Sequence, residues 1–119
     1  MKRKSVDLAD VLSLQLKAIG IPHVREAKLI PGRKFRTDIF VEPCLAIECD
    51  GATWANGRHN RGQGIEDDCE KQNLLVTLGY RPMRFTRKQI TLGHAEYWIQ
   101  EALKVAKRYE LAMRVMEGT

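Results

Sequence analysis

One stretch determines how the rest of the chain is interpreted: Phe35-Arg36-Thr37-Asp38-Ile39-Phe40-Val41-Glu42-Pro43-Cys44-Leu45-Ala46-Ile47-Glu48-Cys49-Asp50. Two runs of β-forming residues flank a Glu-Pro break, a pattern that predicts a hairpin. Side chains alternate between the two faces of a strand. The alternation therefore places Asp38, Glu48 and Asp50 on one side of the hairpin. The opposite side receives Phe35, Thr37, Ile39 and Val41 from the first run and Leu45, Ile47 and Cys49 from the second.

Three carboxylates at close range repel one another, and a cation between them allows all three to stay ionised. Hard oxygen ligands of this kind favour Mg²⁺, Mn²⁺ or Ca²⁺. The alternative is a solvated polar face without a metal. The apolar residues Leu45, Ala46 and Ile47, which precede Glu48, favour the metal site, but the pattern alone leaves both interpretations open.

The composition predicts one globular domain spanning residues 1–119, with 44% hydrophobic residues. A net charge of +5 and a pI near 9.3 are compatible with a polyanionic partner. The three cysteines lack Cys-x-x-Cys spacing, which argues against a disulfide scaffold and a zinc finger. No apolar run reaches membrane-spanning length and no signal-peptide pattern follows Met1, so we expect a cytoplasmic location.

Hydrophobic periodicity and helix-capping signals predict the element order α-β-β-β-α-β-α, a single α/β domain with a mixed sheet. A polar segment with four glycines, residues 51–64, follows the hairpin. The other expected elements are a helix capped by Ser5 or Asp7 and ending near Ile19, a strand within 23–30, a helix from Ile65 to about Leu78, a strand over 81–86, and a helix from about Leu92 to Met116.

This order, with a carboxylate on the second strand and Glu-x-Asp on the third, resembles the PD-(D/E)XK nuclease superfamily. The resemblance extends to compact members related to very short patch repair endonucleases and covers roughly the whole chain. It implies a restriction-endonuclease-like αβββαβ core with a C-terminal helix, and Mg²⁺-dependent hydrolysis of DNA, with Mn²⁺ as a second candidate metal. The segments that carry it are Val24-Arg25-Glu26, residues 33–38, Leu45 to Gly51, Gly57-Arg58-His59-Asn60-Arg61-Gly62, Asp68-Cys69-Glu70-Lys71 and Arg84-Phe85-Thr86.

The resemblance implies that Asp38, Glu48 and the backbone carbonyl of Cys49 are metal ligands. Glu26 is either a further member of this site or a surface residue. The lysine that the family places two residues after the glutamate is absent, and Asp50 stands in its position. A carboxylate there cannot supply the positive charge, although it can bind metal or orient the attacking water.

Two further residues are candidates for the chemistry that the missing lysine leaves open. His59 is a candidate general acid or base, because histidine titrates near neutral pH, or else a phosphate contact. Lys71 either forms a helix-surface ion pair with Asp68 or replaces the motif lysine at the scissile phosphate.

Cations on both sides of the hairpin predict contacts to DNA phosphates, which provide sequence-independent affinity. Trp54, in the polar segment, either packs beneath that segment or stacks on bases. The cationic candidates for DNA binding are Arg25, Arg33, Lys34, Arg36, Arg58, Arg61 and Arg84.

These expectations combine into a Mg²⁺-dependent DNA endonuclease that selects a nick, a mismatch or a branch in repair or recombination, because so short a chain has little room for a sequence-reading domain. One alternative is a Holliday junction resolvase, which requires a homodimer that the sequence does not display. Another is a non-catalytic DNA-binding module on a nuclease fold, and a third is a metal-free interaction domain whose carboxylates pair with arginines.

Overall fold

The computed structural model describes residues 6–49 and 63–118, and within these ranges the chain forms four helices and four strands. The architecture is mixed α/β with a helix at the carboxyl end, which confirms the predicted fold class. The elements are α1 (Leu8–Ala18), β1 (Val24–Ala27), β2 (Thr37–Val41), β3 (Leu45–Cys49), α2 (Gln63–Thr77), β4 (Arg81–Phe85), α3 (Arg87–Thr91) and α4 (His94–Glu117).

The four strands form one sheet in the order β1-β2-β3-β4. β1 pairs antiparallel with β2, and β2 pairs antiparallel with β3 across the predicted hairpin. β3 pairs in parallel with β4. A parallel pair needs a long crossover connection, and the segment containing α2 supplies it.

The two faces of the sheet bury clusters of very different size. One face packs on α1, α3 and α4 through a cluster that includes the fully buried Leu12, Ile47 and Ile99. The other face, beneath α2, buries Ile30, Ala46 and Leu75. Asp38 and Glu48 alternate with residues of the larger core along β2 and β3, so their side chains lie on the α2 face.

Three details refine or correct the sequence expectations. Asp7 is the cap of α1, since its Oδ1 accepts a hydrogen bond from Ala9 N at 2.9 Å. Phe35 precedes β2 and packs with the smaller core, so its assignment to the face of Ile39 was wrong. The predicted last helix corresponds to α4, and the structure adds a short helix, α3, before it; Gly93, with a left-handed φ of 82°, separates the two.

None of the helices in the described ranges combines the length and the apolar character that crossing a bilayer requires.

Candidate active site

Asp38 and Glu48 face each other across the hairpin. Ile39 pairs with Ile47 in the antiparallel register. Asp38 immediately precedes Ile39 and Glu48 immediately follows Ile47, so Asp38 lies opposite Glu48. Directly opposite side chains of an antiparallel pair share a face. Glu48 in turn is in register with Arg84 on β4. One level of the sheet therefore carries two carboxylates and an arginine on three adjacent strands.

A backbone hydrogen bond orients Asp38. The N–H of Cys49 donates to Asp38 Oδ2 at 2.8 Å, which links the carboxylate to the strand that carries Glu48. Hydrogen bonds to an ionised acceptor are among the stronger ones in proteins. The two carboxyl groups are consequently fixed relative to one another by the sheet.

Lys71 reaches the same point from α2. Its Nζ contacts Glu48 Oε1 and also donates to the backbone carbonyl of Arg36. The packing of α2 explains this position: Leu75, one helical turn later, packs on the cluster that contains Ala46, two residues before Glu48 on the same face of β3. The side chains of Lys71 and Glu48 are only 14% and 18% exposed, so water screens their interaction weakly.

Burial raises the pKa of Glu48 from 4.5 to about 7. The neighbouring Lys71 lowers this pKa, whereas the charge of Asp38 and its hydrogen bond raise it. Removal from water opposes ionisation of a carboxyl group, and here it outweighs the attraction of the ammonium group. A Glu48 pKa of about 7 makes the charge of this carboxyl group sensitive to its surroundings near neutral pH.

The Cys49 side chain does not resemble a thiolate ligand. It packs against the larger core, and burial, followed by the charges of Asp38 and Glu48, raises the pKa of its thiol to about 12. A neutral thiol is a poor metal ligand. The backbone carbonyl is the oxygen of this residue with the chemistry for a hard cation.

The donor set fits a hard divalent cation in its chemistry. Asp38 and Glu48 contribute carboxylate oxygens, which Mg²⁺ and Mn²⁺ favour. Within residues 6–49 and 63–118, no group of three or more His, Cys, Asp or Glu side chains is arranged to hold a metal ion. The third predicted carboxylate, Asp50, lies outside the described residues.

Glu26 lies at the outer strand of the sheet. Its neighbours Arg25 and Ala27 pair with Ile39 and Thr37, which puts Glu26 at the level of Asp38. Glu26 has a left-handed φ of 51° and an exposed side chain. Such a conformation is uncommon for a residue other than glycine and is found at turns and at functional sites.

Among the predicted DNA-binding cations, Arg25 lies on the opposite face of the sheet. Its guanidinium contacts Asp10 at 2.8 Å and Asp7 at 3.8 Å, both at the start of α1. Arg25 is in register with Ile39, a residue of the larger core, and this parity directs its side chain away from Asp38. The structure therefore does not bring Arg25 to the candidate site.

Other predicted cations do lie on the site's side of the molecule. Arg33 contacts Glu70 of α2 at 2.9 Å and lies 4.9 Å over the Phe35 ring, which holds the segment before β2 against α2. Lys34 and Arg36 in this segment are exposed. Arg84 lines a cavity of about 70 Å³ together with Glu48 and Lys71.

Sequence reasoning did not single out Asp68 or Gln72 as site residues, yet both line that cavity. They also line an adjoining cavity of about 180 Å³ with Arg84. Their positions one turn apart on α2, beside Lys71, are the signal that identifies them, because residues three or four apart share a helix face.

Five predicted site residues lie outside the described part of the chain. They are Asp50, Trp54, Arg58, His59 and Arg61.

Comparisons with known proteins place the fold among nuclease domains. No family model and no curated protein matches the sequence. The structure is similar to the catalytic domain of the homing endonuclease I-Bth0305I, with a TM-score of 0.63 and 18% sequence identity over 82% of this chain and 93% of that chain. The chain therefore has the fold of a nuclease catalytic domain.

Proposed function

We propose that this protein is a metal-dependent DNA endonuclease that hydrolyses phosphodiester bonds. The observation that carries the proposal is the arrangement of Asp38 opposite Glu48, with the ammonium group of Lys71 on Glu48. Paired carboxylates with a nearby lysine can hold a divalent cation and supply positive charge to a phosphate. The nuclease-domain fold supports the same conclusion.

In this mechanism Asp38 and Glu48 would hold Mg²⁺, or Mn²⁺, with the Cys49 carbonyl and Glu26 as further candidate ligands. When bound there, the cation would polarise the phosphate and lower the pKa of water. The hydrogen bond from Cys49 N keeps Asp38 oriented before substrate arrives. Preformed geometry of this kind reduces the reorganisation needed at the reacting phosphate.

Lys71 takes the role of the lysine that the superfamily places on the third strand. Its ammonium group stabilises the negative charge that develops on the phosphate during attack. Its contact with the Arg36 carbonyl fixes the direction from which it approaches Glu48. Asp50 then orients the attacking water, and His59 is the candidate proton donor or acceptor.

DNA binds across the face that carries the site. Arg33, Lys34 and Arg36 lie on one side of the carboxylate pair and Arg84 on the other, and we assign phosphate contacts to them and to Arg58 and Arg61. Trp54 is the candidate for base stacking. We propose that it selects a DNA structure such as a nick, mismatch or branch in repair or recombination, and acts in the cytoplasm.

A non-catalytic DNA-binding module is the second candidate. The contact between Lys71 and Glu48 favours it, because a lysine can satisfy a buried carboxylate permanently in place of a metal. The two functions differ in whether a divalent cation displaces that interaction.

The discriminating experiment combines cleavage with metal binding. Purified protein is incubated with linear, nicked, mismatched, flapped and four-way DNA in Mg²⁺ or Mn²⁺, and Mg²⁺ binding is measured by calorimetry. We expect Asp38→Asn and Glu48→Gln to lose nearly all cleavage and to weaken Mg²⁺ binding, because each removes a charged ligand. Asp10→Asn, which removes an exposed carboxylate of α1, serves as the matched control.

Wild-type cleavage by either ligand variant would exclude the metal site. DNA binding without cleavage or Mg²⁺ binding by the wild-type protein would identify the non-catalytic module. Cleavage confined to four-way DNA would identify a resolvase.

A further inference from the structure

Helix α4 carries two apolar stripes, of which only one faces the protein's own core. The first stripe buries Ala95, Ile99, Leu103 and Ala106. The second is exposed: Trp98 is 52% exposed, Val105 48%, Tyr109 62% and Met116 68%. Its members, hereafter the α4 seam, are Trp98, Val105, Tyr109, Ala112 and Met116, together with Ala102, which is partly buried at the border with the larger core.

The spacing of the α4 seam is that of a coiled coil. Its residues follow one another at intervals of four, three, four, three and four, which keeps them on one line of the helix. Every residue from Lys107 to Gly118 is exposed, and on one side of this half of α4 Tyr109 and Met113 line an open cavity with Tyr80. A contiguous apolar line on an exposed helix marks an interaction surface.

We propose that the α4 seam binds the α4 seam of a second copy of this chain in an antiparallel pair. This inference does not rest on the proposed nuclease function. Positions a and d face each other across an antiparallel coil, so Trp98 lies against the partner's Tyr109 and Ala102 lies against the partner's Val105. By two-fold symmetry both contacts occur twice.

Charges beside the seam select this register. Glu101 and Arg108 lie on the same edge of the α4 seam, seven residues apart. In the antiparallel register given above, each Glu101 lies beside the partner's Arg108, and the two attractive pairs flank the centre of the interface. A shift by one heptad would place Arg108 beside the partner's Arg108, which is a repulsive pair. A parallel arrangement would place Glu101 beside the partner's Ala106, which offers no charge to pair with.

The area of the α4 seam predicts a weak dimer. Aromatic side chains bury roughly 150–250 Å² each when fully covered, and Trp98 and Tyr109 are each a little over half exposed in the single chain. With Val105 and Met116, the buried surface falls at the lower end of the range for specific interfaces. We expect dissociation in the micromolar range.

Sedimentation equilibrium of the full chain over a range of concentrations tests the surface. We expect reversible dimerisation of the wild type, and at least a roughly tenfold weaker dimer for Tyr109→Glu, since a charge would be buried in the seam. Leu111→Glu is the matched control, because Leu111 is 63% exposed on the same helix but lies away from the seam. The control should dimerise like the wild type.

Charge exchange tests the register. Glu101→Arg and Arg108→Glu should each weaken the dimer several-fold, and the double variant should restore it, because the pairs are then reversed. Glu101 also accepts a hydrogen bond from Lys104 at 3.3 Å, but this exposed intrahelical pair contributes little. In a Cys69→Ser background, a mixture of Ala102→Cys and Val105→Cys chains should crosslink faster than either chain alone.

A wild-type chain that stays monomeric at all concentrations would overturn the proposal. A dimer that Tyr109→Glu leaves unchanged would place the interface elsewhere. Failure of the double charge variant to restore association, or faster crosslinking within either single-cysteine chain, would overturn the antiparallel register.

Discussion

The substitution Glu48→Gln is expected to change how the stability of the metal-free protein depends on pH. Glutamine keeps the shape and hydrogen-bonding capacity of the protonated carboxyl group but cannot ionise. In the wild type, burial raises the pKa of Glu48 from 4.5 to about 7. Between these two values the folded chain retains a proton that the unfolded chain has released.

The sign and size of the effect follow from proton linkage. Because the folded state binds more protons over this interval, the wild-type free energy of unfolding falls as the pH rises from about 4.5 to about 7. Each pKa unit corresponds to about 1.4 kcal/mol. The full shift therefore removes roughly 3 kcal/mol of stability by pH 8, and Glu48→Gln abolishes that loss.

The variant also leaves the Lys71 ammonium, which is 14% exposed, without its anionic partner. At pH 5 the folded wild type also lacks this ion pair, because Glu48 keeps its proton, and at pH 8 the attraction of Lys71 is already contained in the Glu48 pKa of about 7. The informative quantity is the difference in unfolding free energy between variant and wild type, measured at both pH values. We expect this difference to shift by about 2 to 3 kcal/mol in favour of the variant at pH 8.

Urea denaturation followed by circular dichroism, in buffer with a chelator, provides the measurement. Glu117→Gln, at the exposed end of α4, corrects for the loss of one negative charge. A stability difference between Glu48→Gln and the wild type that is the same at pH 5 and pH 8 would refute the argument that burial outweighs Lys71 at this site.

Three further outcomes are expected. Lys71→Met should slow single-turnover cleavage and move the acid limb of its pH profile to higher pH, since Lys71 lowers the pKa of Glu48; an unshifted acid limb would contradict this. Leu12→Ala should reduce the free energy of unfolding by about 2–5 kcal/mol, because Leu12 is fully buried. A loss of less than about 1 kcal/mol, as surface substitutions typically cause, would show that the core relaxes around the smaller side chain. A thiol reagent should modify the exposed Cys69 well before Cys49, whose thiol pKa is raised to about 12; equal rates would contradict the burial of Cys49.

The hairpin and its carboxylate pair were predictable because strand alternation is a local property. Two β-rich runs around a Glu-Pro break fix which side chains share a face, and the register then puts Asp38 opposite Glu48. Phe35 was misassigned because it lies outside the strand, where alternation no longer applies. Predicting which face of the sheet Arg25 occupies requires the register between β1 and β2, which no local pattern specifies.

The short helix α3, which is absent from the predicted elements, had a signal in the sequence. Thr86 and Gln89 form a capping box, in which Gln89 N donates to Thr86 Oγ1 at 3.3 Å and Thr86 N donates to Gln89 Oε1 at 2.9 Å. The Thr-x-x-Gln spacing therefore marks a helix start at Arg87. The position of Lys71 had no such signal, because it depends on how α2 packs across the sheet.

Because the two faces of the sheet bury unequal amounts of apolar surface, we expect the candidate site to lose its arrangement at a lower temperature than the rest of the fold. Among residues 6–49 and 63–118, twelve buried residues form the core between the sheet and α1, α3 and α4, whereas three form the core beneath α2, the helix that supplies Lys71. Elements with less buried apolar surface open at lower free energy than the rest of a protein. During gradual heating, Lys71 should therefore detach from Glu48 while the remaining helices are still folded. We therefore expect an inactivation temperature below the temperature of global unfolding. Under the proposed function, DNA bound across the α2 face would raise both temperatures.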